Sequence, residues 1–389
     1  MPVMELYQNI LHIFLQFLSI ENIMIDLACH RKDRLMGKDS AFYKDKARNQ
    51  KLLLRSLIDQ LPQPAADFIY SKEVTTQTST LISYCYDLLT FFTFMQDNNP
   101  ACRSIEIKDF HYDILKQIAP EDVIEYQRYL ELNVDKDHPH ENSKKAIARK
   151  MSPLRGMFHY HFLHKHLDED PMQLVPLPKL KKDKNIVRMN NYEVRAILDA
   201  IEHGNEQMSD RQRKYCERTK KRDLAILTLM LGTGIRVSEC NGLDIDDVDL
   251  KVNSFNIVRK GGGQDVLYFG EDVHEVLADY IDTERALMNP REGHEKALFF
   301  SLQGKRMSVD AIEKLVKKYA RMVVPNKKIT PHKLRSTFGT ALYRETGDIR
   351  LVADVLGHNN INTTIDYYAA IEDEHKRQAA GAVDYRRKD

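Results

Sequence analysis

Residues 330–338 read Thr-Pro-His-Lys-Leu-Arg-Ser-Thr-Phe, and residues 356–368 read Leu-Gly-His-Asn-Asn-Ile-Asn-Thr-Thr-Ile-Asp-Tyr-Tyr. In the first stretch His332 and Arg335 stand three apart behind a proline, so they share a face near the start of a helix. That end of a helix attracts anions through its free N–H groups and its dipole. In the second stretch a histidine follows a glycine at a helix stop, and polar residues lead into a new helix carrying Tyr367 and Tyr368.

Two further stretches belong with these. Residues 233–239 read Thr-Gly-Ile-Arg-Val-Ser-Glu. An arginine directly after a glycine-containing turn is set to point into a cleft, where its fork can hold two phosphate oxygens. The plainer alternative is an Arg236–Glu239 pair on a helix. Residues 259–264, Arg-Lys-Gly-Gly-Gly-Gln, lie between two expected strands. Glycines let such a hairpin approach a ligand, and Lys260 can reach a phosphate there. Singly each signal is weak, and each has an ordinary structural counterpart. His332 has no second ligand pair beside it, so no metal site is expected. Together the stretches supply two arginines, a lysine, two histidines and a tyrosine, which suffices for phosphodiester cleavage without a metal. Guanidinium groups neutralise the pentacoordinate transition state, a lysine or histidine protonates the leaving oxygen, and a phenol forms a covalent intermediate with phosphorus.

In this order the motifs resemble those of the tyrosine recombinase family, the phage integrases and Xer-like site-specific recombinases. The resemblance is close over about residues 186–372 and looser over about 77–170. It implies a mainly α fold with a small β-sheet: a helical, SAM-like core-binding domain followed by a mixed α/β catalytic domain. It implies that Arg236 and Arg335 clamp the scissile phosphate, that His332 and His358 complete the pocket, and that Lys260 protonates the departing 5′ oxygen. The family places its nucleophile nine residues after the Leu-Gly-His histidine, which gives Tyr367. The reaction then runs through a 3′-phosphotyrosine, with no cofactor, on a tetramer assembled over two paired duplexes. Ser336 stands where many relatives carry histidine, and Tyr368-Ala369 where they carry Thr-His. The resemblance leads first to the integrase of a mobile element, with a dimer resolvase or DNA invertase as the alternative. A type IB topoisomerase-like enzyme and a non-catalytic DNA-binding protein are the competing classes.

The remainder of the chain is consistent with a soluble, cytoplasmic DNA-acting enzyme. Across 389 residues, 58 Lys and Arg balance 57 Asp and Glu, giving a formal net charge of +1. The balance conceals sorting. Residues 144–188 carry +7, residues 211–222 carry +6 and residues 301–350 carry +8, leaving −20 elsewhere. Basic blocks of this kind suggest a polyanionic partner. Lys144, Lys145, Arg149, Lys150, Lys181, Lys182 and Lys184 are the candidate contacts to double-stranded DNA. The five cysteines are scattered, odd in number and without a CxxC pair, as in a reducing compartment. The apolar run near residues 4–20 is too short and too interrupted for a membrane span and reads as an amphipathic helix.

Organisation follows from periodicity. Residues 1–64 form an N-terminal helical extension of unassigned role, with a helix over 40–61 ended by Pro62 and Pro64. Residues 65–169 form the helical DNA-binding domain, with helices over Leu81–Met95, Pro120–Leu132 and Ser143–His166 and a loop over Asp135–Glu141. Residues 170–188 read as an extended basic linker. The catalytic domain, 189–389, opens on an Asn190–Glu193 capping box and has strands near Ser254–Val258 and Val266–Phe269. A C-terminal tail after Tyr368 is expected to dock on a neighbouring subunit.

Overall fold

The computed structural model describes residues 41–133, 140–179, 188–204, 209–259, 262–358 and 365. It divides into two compact units, one of Lys44–Asp183 and one of Lys184–Asp389 together with Met1–Tyr43. The apolar run at 4–20 lies outside the described residues. Among the described residues, no helix is long and apolar enough to cross a membrane.

The first unit is helical: α1 (Ala41–Ile58), α2 (Gln63–Lys72), α3 (Thr78–Asn98), the single turn α4 (Tyr112–Leu115), α5 (Pro120–Glu131) and α6 (Lys144–Leu163). Aromatic residues dominate its core. Phe91 meets Tyr126 edge-on at 5.1 Å and Phe92 meets Phe110 at 5.4 Å, the geometry ring quadrupoles favour. Gly156 lets α2 and α6 approach, because a Cβ there would lie 2.9 Å from the Phe68 ring. Ser143 caps α6 by accepting the Ala146 N–H.

Leu54, Leu57, Ile58 and Leu61 are buried in the same core as Phe91 and Phe158. The apolar face of α1 therefore completes this unit instead of forming a separate extension, and the core runs across the expected boundary at 64/65. The beginning of the expected linker is packed too. Asp170 caps a 3-10 turn, Pro171–Gln173, and Met172 and Val175 are buried. Arg155 donates to the carbonyls of both, at 3.3 and 3.2 Å. Part of the expected acidic loop pairs as a strand: β1 (Leu132–Asn133) and β2 (His140–Glu141) form an antiparallel two-residue ladder.

The second unit contains α7 (Asn191–Glu202), α8 (Asp210–Glu217), α9 (Lys220–Thr233) and α10 (Val237–Gly242). A three-stranded antiparallel sheet follows, β3 (Val248–Asp249), β4 (Ser254–Val258) and β5 (Gln264–Tyr268), in the order β3-β4-β5. Then come α11 (Glu271–Tyr280), which continues into a π-helical turn at Ile281–Arg285, α12 (Val309–Val323), α13 (Pro331–Thr346) and α14 (Ile349–Val355). The capping box at α7 forms as expected, with reciprocal Asn190–Glu193 hydrogen bonds of 2.8 and 2.9 Å. Helix α9 is the centre of this unit. Its residues Ala225, Ile226, Leu227, Leu229 and Met230 are fully buried, and it packs against α7, α11 and α13. An amphipathic stripe faces one neighbour; a helix apolar on all sides has to sit in the middle.

Candidate active site

The site grows from the end of this central helix. Gly234 closes α9 in the left-handed conformation, φ +63°, which glycine adopts without penalty. A side chain there would strike the Phe338 ring on α13. The chain then turns through buried Ile235 and places Arg236 at the start of α10. Glu239, three residues on and buried, accepts the Arg236 backbone N–H at 2.9 Å and its guanidinium at 2.8 Å. The ion pair that stood as the plain alternative for this motif is therefore formed, and it holds Arg236 in place.

Thr330 stands at the start of α13 with Pro331 behind it, so His332 lies on the exposed first turn and Arg335 one turn deeper, buried. Helix α14 ends in a Schellman turn. His358 N–H donates to the Ala353 carbonyl at 2.9 Å, and Gly357 N–H to Asp354 at 2.8 Å, with Gly357 at φ +56°. That motif leaves the next three carbonyls for other donors, and each receives a different guanidinium. Arg259 donates to Val355 at 3.0 Å, Arg335 donates to Leu356, and Arg236 donates to Gly357 at 2.9 Å. Arg335 also donates to the Gly234 carbonyl, joining the two glycine turns.

Electrostatics records the same convergence. Burial, and then the charges of Arg335, Arg236, His332 and Arg259, push the His358 imidazole from its ordinary 6.5 down to about 4. His358 is therefore neutral at neutral pH, among the cations Arg236, Arg259 and Arg335.

Four residues expected from the motifs, Arg236, His332, Arg335 and His358, thus come together from three separate stretches. Lys260 and Tyr367 lie outside the described residues, as do Lys181, Lys182 and Lys184. Of the remaining candidate DNA contacts, Lys144 and Lys145 are exposed at the start of α6. Arg149 and Lys150 reach buried Asp87 on α3, at 2.6 and 3.5 Å, so they also fasten α6 to α3. Glu239 and Arg259 received no site role from the sequence. Both stood inside quoted motifs, and the Arg236–Glu239 pair was weighed only as a plain alternative; the contacts of Arg259 with Glu239 and Val355 join residues distant along the chain. Cys85 and Cys240 are buried, and burial pushes their thiols up to about 12, which leaves them unreactive.

Guanidinium groups gathered at helix ends with two imidazoles have the chemistry to hold a phosphodiester and to move its protons. The family model described as Phage integrase family matches residues 187–375. The chain is 30% identical over 312 residues to the tyrosine recombinase XerC of Caldanaerobacter subterraneus, spanning 77% of this chain and 80% of that protein. It is 32% identical over 227 residues to XerC of Bacillus subtilis, 58% of this chain and 70% of that one. Among solved structures, the Tn1549 transposon integrase in complex with circular intermediate DNA superposes with a TM-score of 0.57. That match is 21% identical over 79% of this chain and 94% of the other. A lambda integrase dimer bound to a COC′ core site gives a TM-score of 0.53 at 15% identity, over 80% and 94%. These two likenesses show the fold. The chain belongs to the tyrosine recombinase family of phage integrases and Xer recombinases, and it is a site-specific enzyme that cuts and rejoins DNA.

Proposed function

We propose that Tyr367 is the nucleophile and that Arg236 and Arg335 receive the scissile phosphate, with His332, His358 and Lys260 completing the site. The observation that carries this reading is the convergence of Arg236, Arg335, His332 and His358 on one turn. The Tyr367 oxygen bonds to phosphorus as the bond to the 5′ oxygen breaks. The phenolic proton passes to water, and Lys260 gives a proton to the departing 5′ oxygen, which leaves as a hydroxyl. The two guanidinium groups take up the charge that develops on the equatorial oxygens. An arriving phosphate also offsets the cations around His358, raising its basicity and letting it share a proton with a phosphate oxygen. The 3′-phosphotyrosine keeps the energy of the broken bond, so a partner strand's 5′ hydroxyl can reverse the step without ATP.

The basic residues of α6 and Lys181, Lys182 and Lys184 contact the duplex backbone, where they position the protein without reading sequence. Four copies act on two paired duplexes in the cytoplasm. The first biological reading is the integrase of a mobile element. The extent of the match to XerC, 77% of this chain, favours a second: resolution of chromosome or plasmid dimers. The test is covalent trapping on nicked site DNA. Wild type and Tyr368→Phe form the adduct, and Tyr367→Phe does not; the reverse pattern overturns the assignment. Sequencing the trapped DNA separates element ends from a resolution site.

A further inference from the structure

Arg259 is the third guanidinium on the turn that precedes His358, and it comes from the sheet instead of from either glycine turn. It directly follows β4, its backbone N–H donates to the Gly263 carbonyl at 2.7 Å, and its side chain is 12% exposed. Asp265 on β5 orients it through Nε at 3.0 Å. One terminal nitrogen donates to the Val355 carbonyl at 3.0 Å. The other lies 3.6 Å from Glu239, the carboxylate that also holds Arg236, and is buried with no hydrogen-bond partner of its own. Gly357 packs directly over this group: a Cβ at that position would lie 2.7 Å from the Arg259 Cζ.

Asp265 is half-exposed, and pairs with exposed carboxylates contribute little. Arg259 is instead drawn inward. It spans from the sheet to the end of α14 on one side and to Glu239 on the other.

We propose that Arg259 is a positioning residue for the reaction: it sets the turn that presents His358 and, through Glu239, the approach of Arg236. This rests on the reading that Arg236 and His358 act on the phosphate. Arg259 itself contacts backbone and carboxylates, so its loss should disturb alignment and leave DNA affinity intact. Misplacement of about 1 Å at a reacting centre lowers rates on the order of 100-fold.

The experiment uses the full chain with a nicked suicide substrate, comparing wild type, Arg259→Met, Arg259→Lys, Asp265→Asn and the Arg259→Met/Asp265→Asn double variant. Single-turnover cleavage at saturating enzyme, the DNA Kd by anisotropy and the His358 titration by NMR are measured. Arg259→Met is expected to cleave on the order of 100-fold more slowly with its Kd within about threefold. Its His358 titration should move upward, because one of the facing cations (Arg236, Arg259, Arg335 and His332) is gone. Arg259→Lys should recover part of the rate, since a lysine can still reach the Val355 carbonyl. Asp265→Asn alone should slow cleavage, and it should add nothing once Arg259 is gone. Wild-type cleavage rates in Arg259→Met, parallel loss of binding and cleavage, or additive loss in the double variant would each overturn the proposal. If Arg259→Met does not fold, Arg259→Lys and Asp265→Asn decide it by the same criteria. Failure of wild type to form any adduct would instead overturn the underlying assignment of the site.

Discussion

Replacing Glu239 with Gln tests how the arginine pocket is held together. The carboxylate is 3% exposed and makes three contacts: the Arg236 backbone N–H at 2.9 Å, the Arg236 guanidinium at 2.8 Å and Arg259 at 3.6 Å. Gln has the same shape but one carbonyl oxygen, and its amide turns a donor toward a guanidinium that also donates. Losing one charge-assisted hydrogen bond removes about 1.5–3 kcal/mol. Stripping the partner from a fully buried pair removes about 3–5 kcal/mol. The Arg236 side chain is 30% exposed and can recover water, which places the expected loss toward the lower range, about 2–3 kcal/mol. Cleavage should fall on the order of 100-fold as Arg236 loses its orientation. DNA affinity should not fall, because the substitution removes a negative charge from a phosphate pocket. Urea denaturation, anisotropy and single-turnover cleavage of a nicked substrate read the three quantities separately. Wild-type cleavage with a stability loss below about 0.5 kcal/mol, the range of ordinary surface substitutions, would refute this account of the pocket.

Two further outcomes follow from other contacts. Asp87→Ala should destabilise the full chain by about 2 kcal/mol in urea denaturation, less than for a fully buried pair, because the Arg149 side chain is 55% exposed and can rehydrate. DNA binding should hold or strengthen in that variant, since Arg149 and Lys150 are released from their carboxylate; weakened binding would show that the pairing presents them to DNA. The lowered His358 pKa gives a signed pH dependence: the unfolded chain binds the proton more readily, so the group's contribution is intact above 6.5 and is lost as pH falls toward about 4. Denaturation midpoints of wild type should decline across that window more steeply than those of His358→Asn; equal slopes would contradict it.

The chemistry was more legible in the sequence than its supports were. His332 and Arg335 could be placed together because three residues on a helix share a face, and Gly234 and Gly357 could be read as turns because few other residues fit there. What holds these motifs in register could not be read locally. Arg259 and Glu239 meet across twenty positions, and Arg259 reaches Val355 across 96, so no periodicity links them. Arg149 and Lys150 read only as candidate DNA contacts because Asp87 sits on a different helix. The apolar stripe of Leu54, Leu57, Ile58 and Leu61 was plain, but a stripe declares that it needs a partner without naming it. The prolines of 170–188 suggested an extended strap, yet the burial of Met172 and Val175 outweighs that bias over its first residues.

The three carbonyls at the end of α14 have one more consequence. They are dipoles built into the backbone, and each accepts from a guanidinium. Dissolved ions screen exposed charges over about 10 Å at 0.1 M but screen a half-buried turn less. Phosphate contacts made by exposed lysines and arginines, by contrast, weaken steeply as counterions are added. Ionic strength therefore governs how often a duplex arrives and how long it stays, while the geometry that receives it stays the same. The enzyme's binding and its chemistry answer to different features of the solvent.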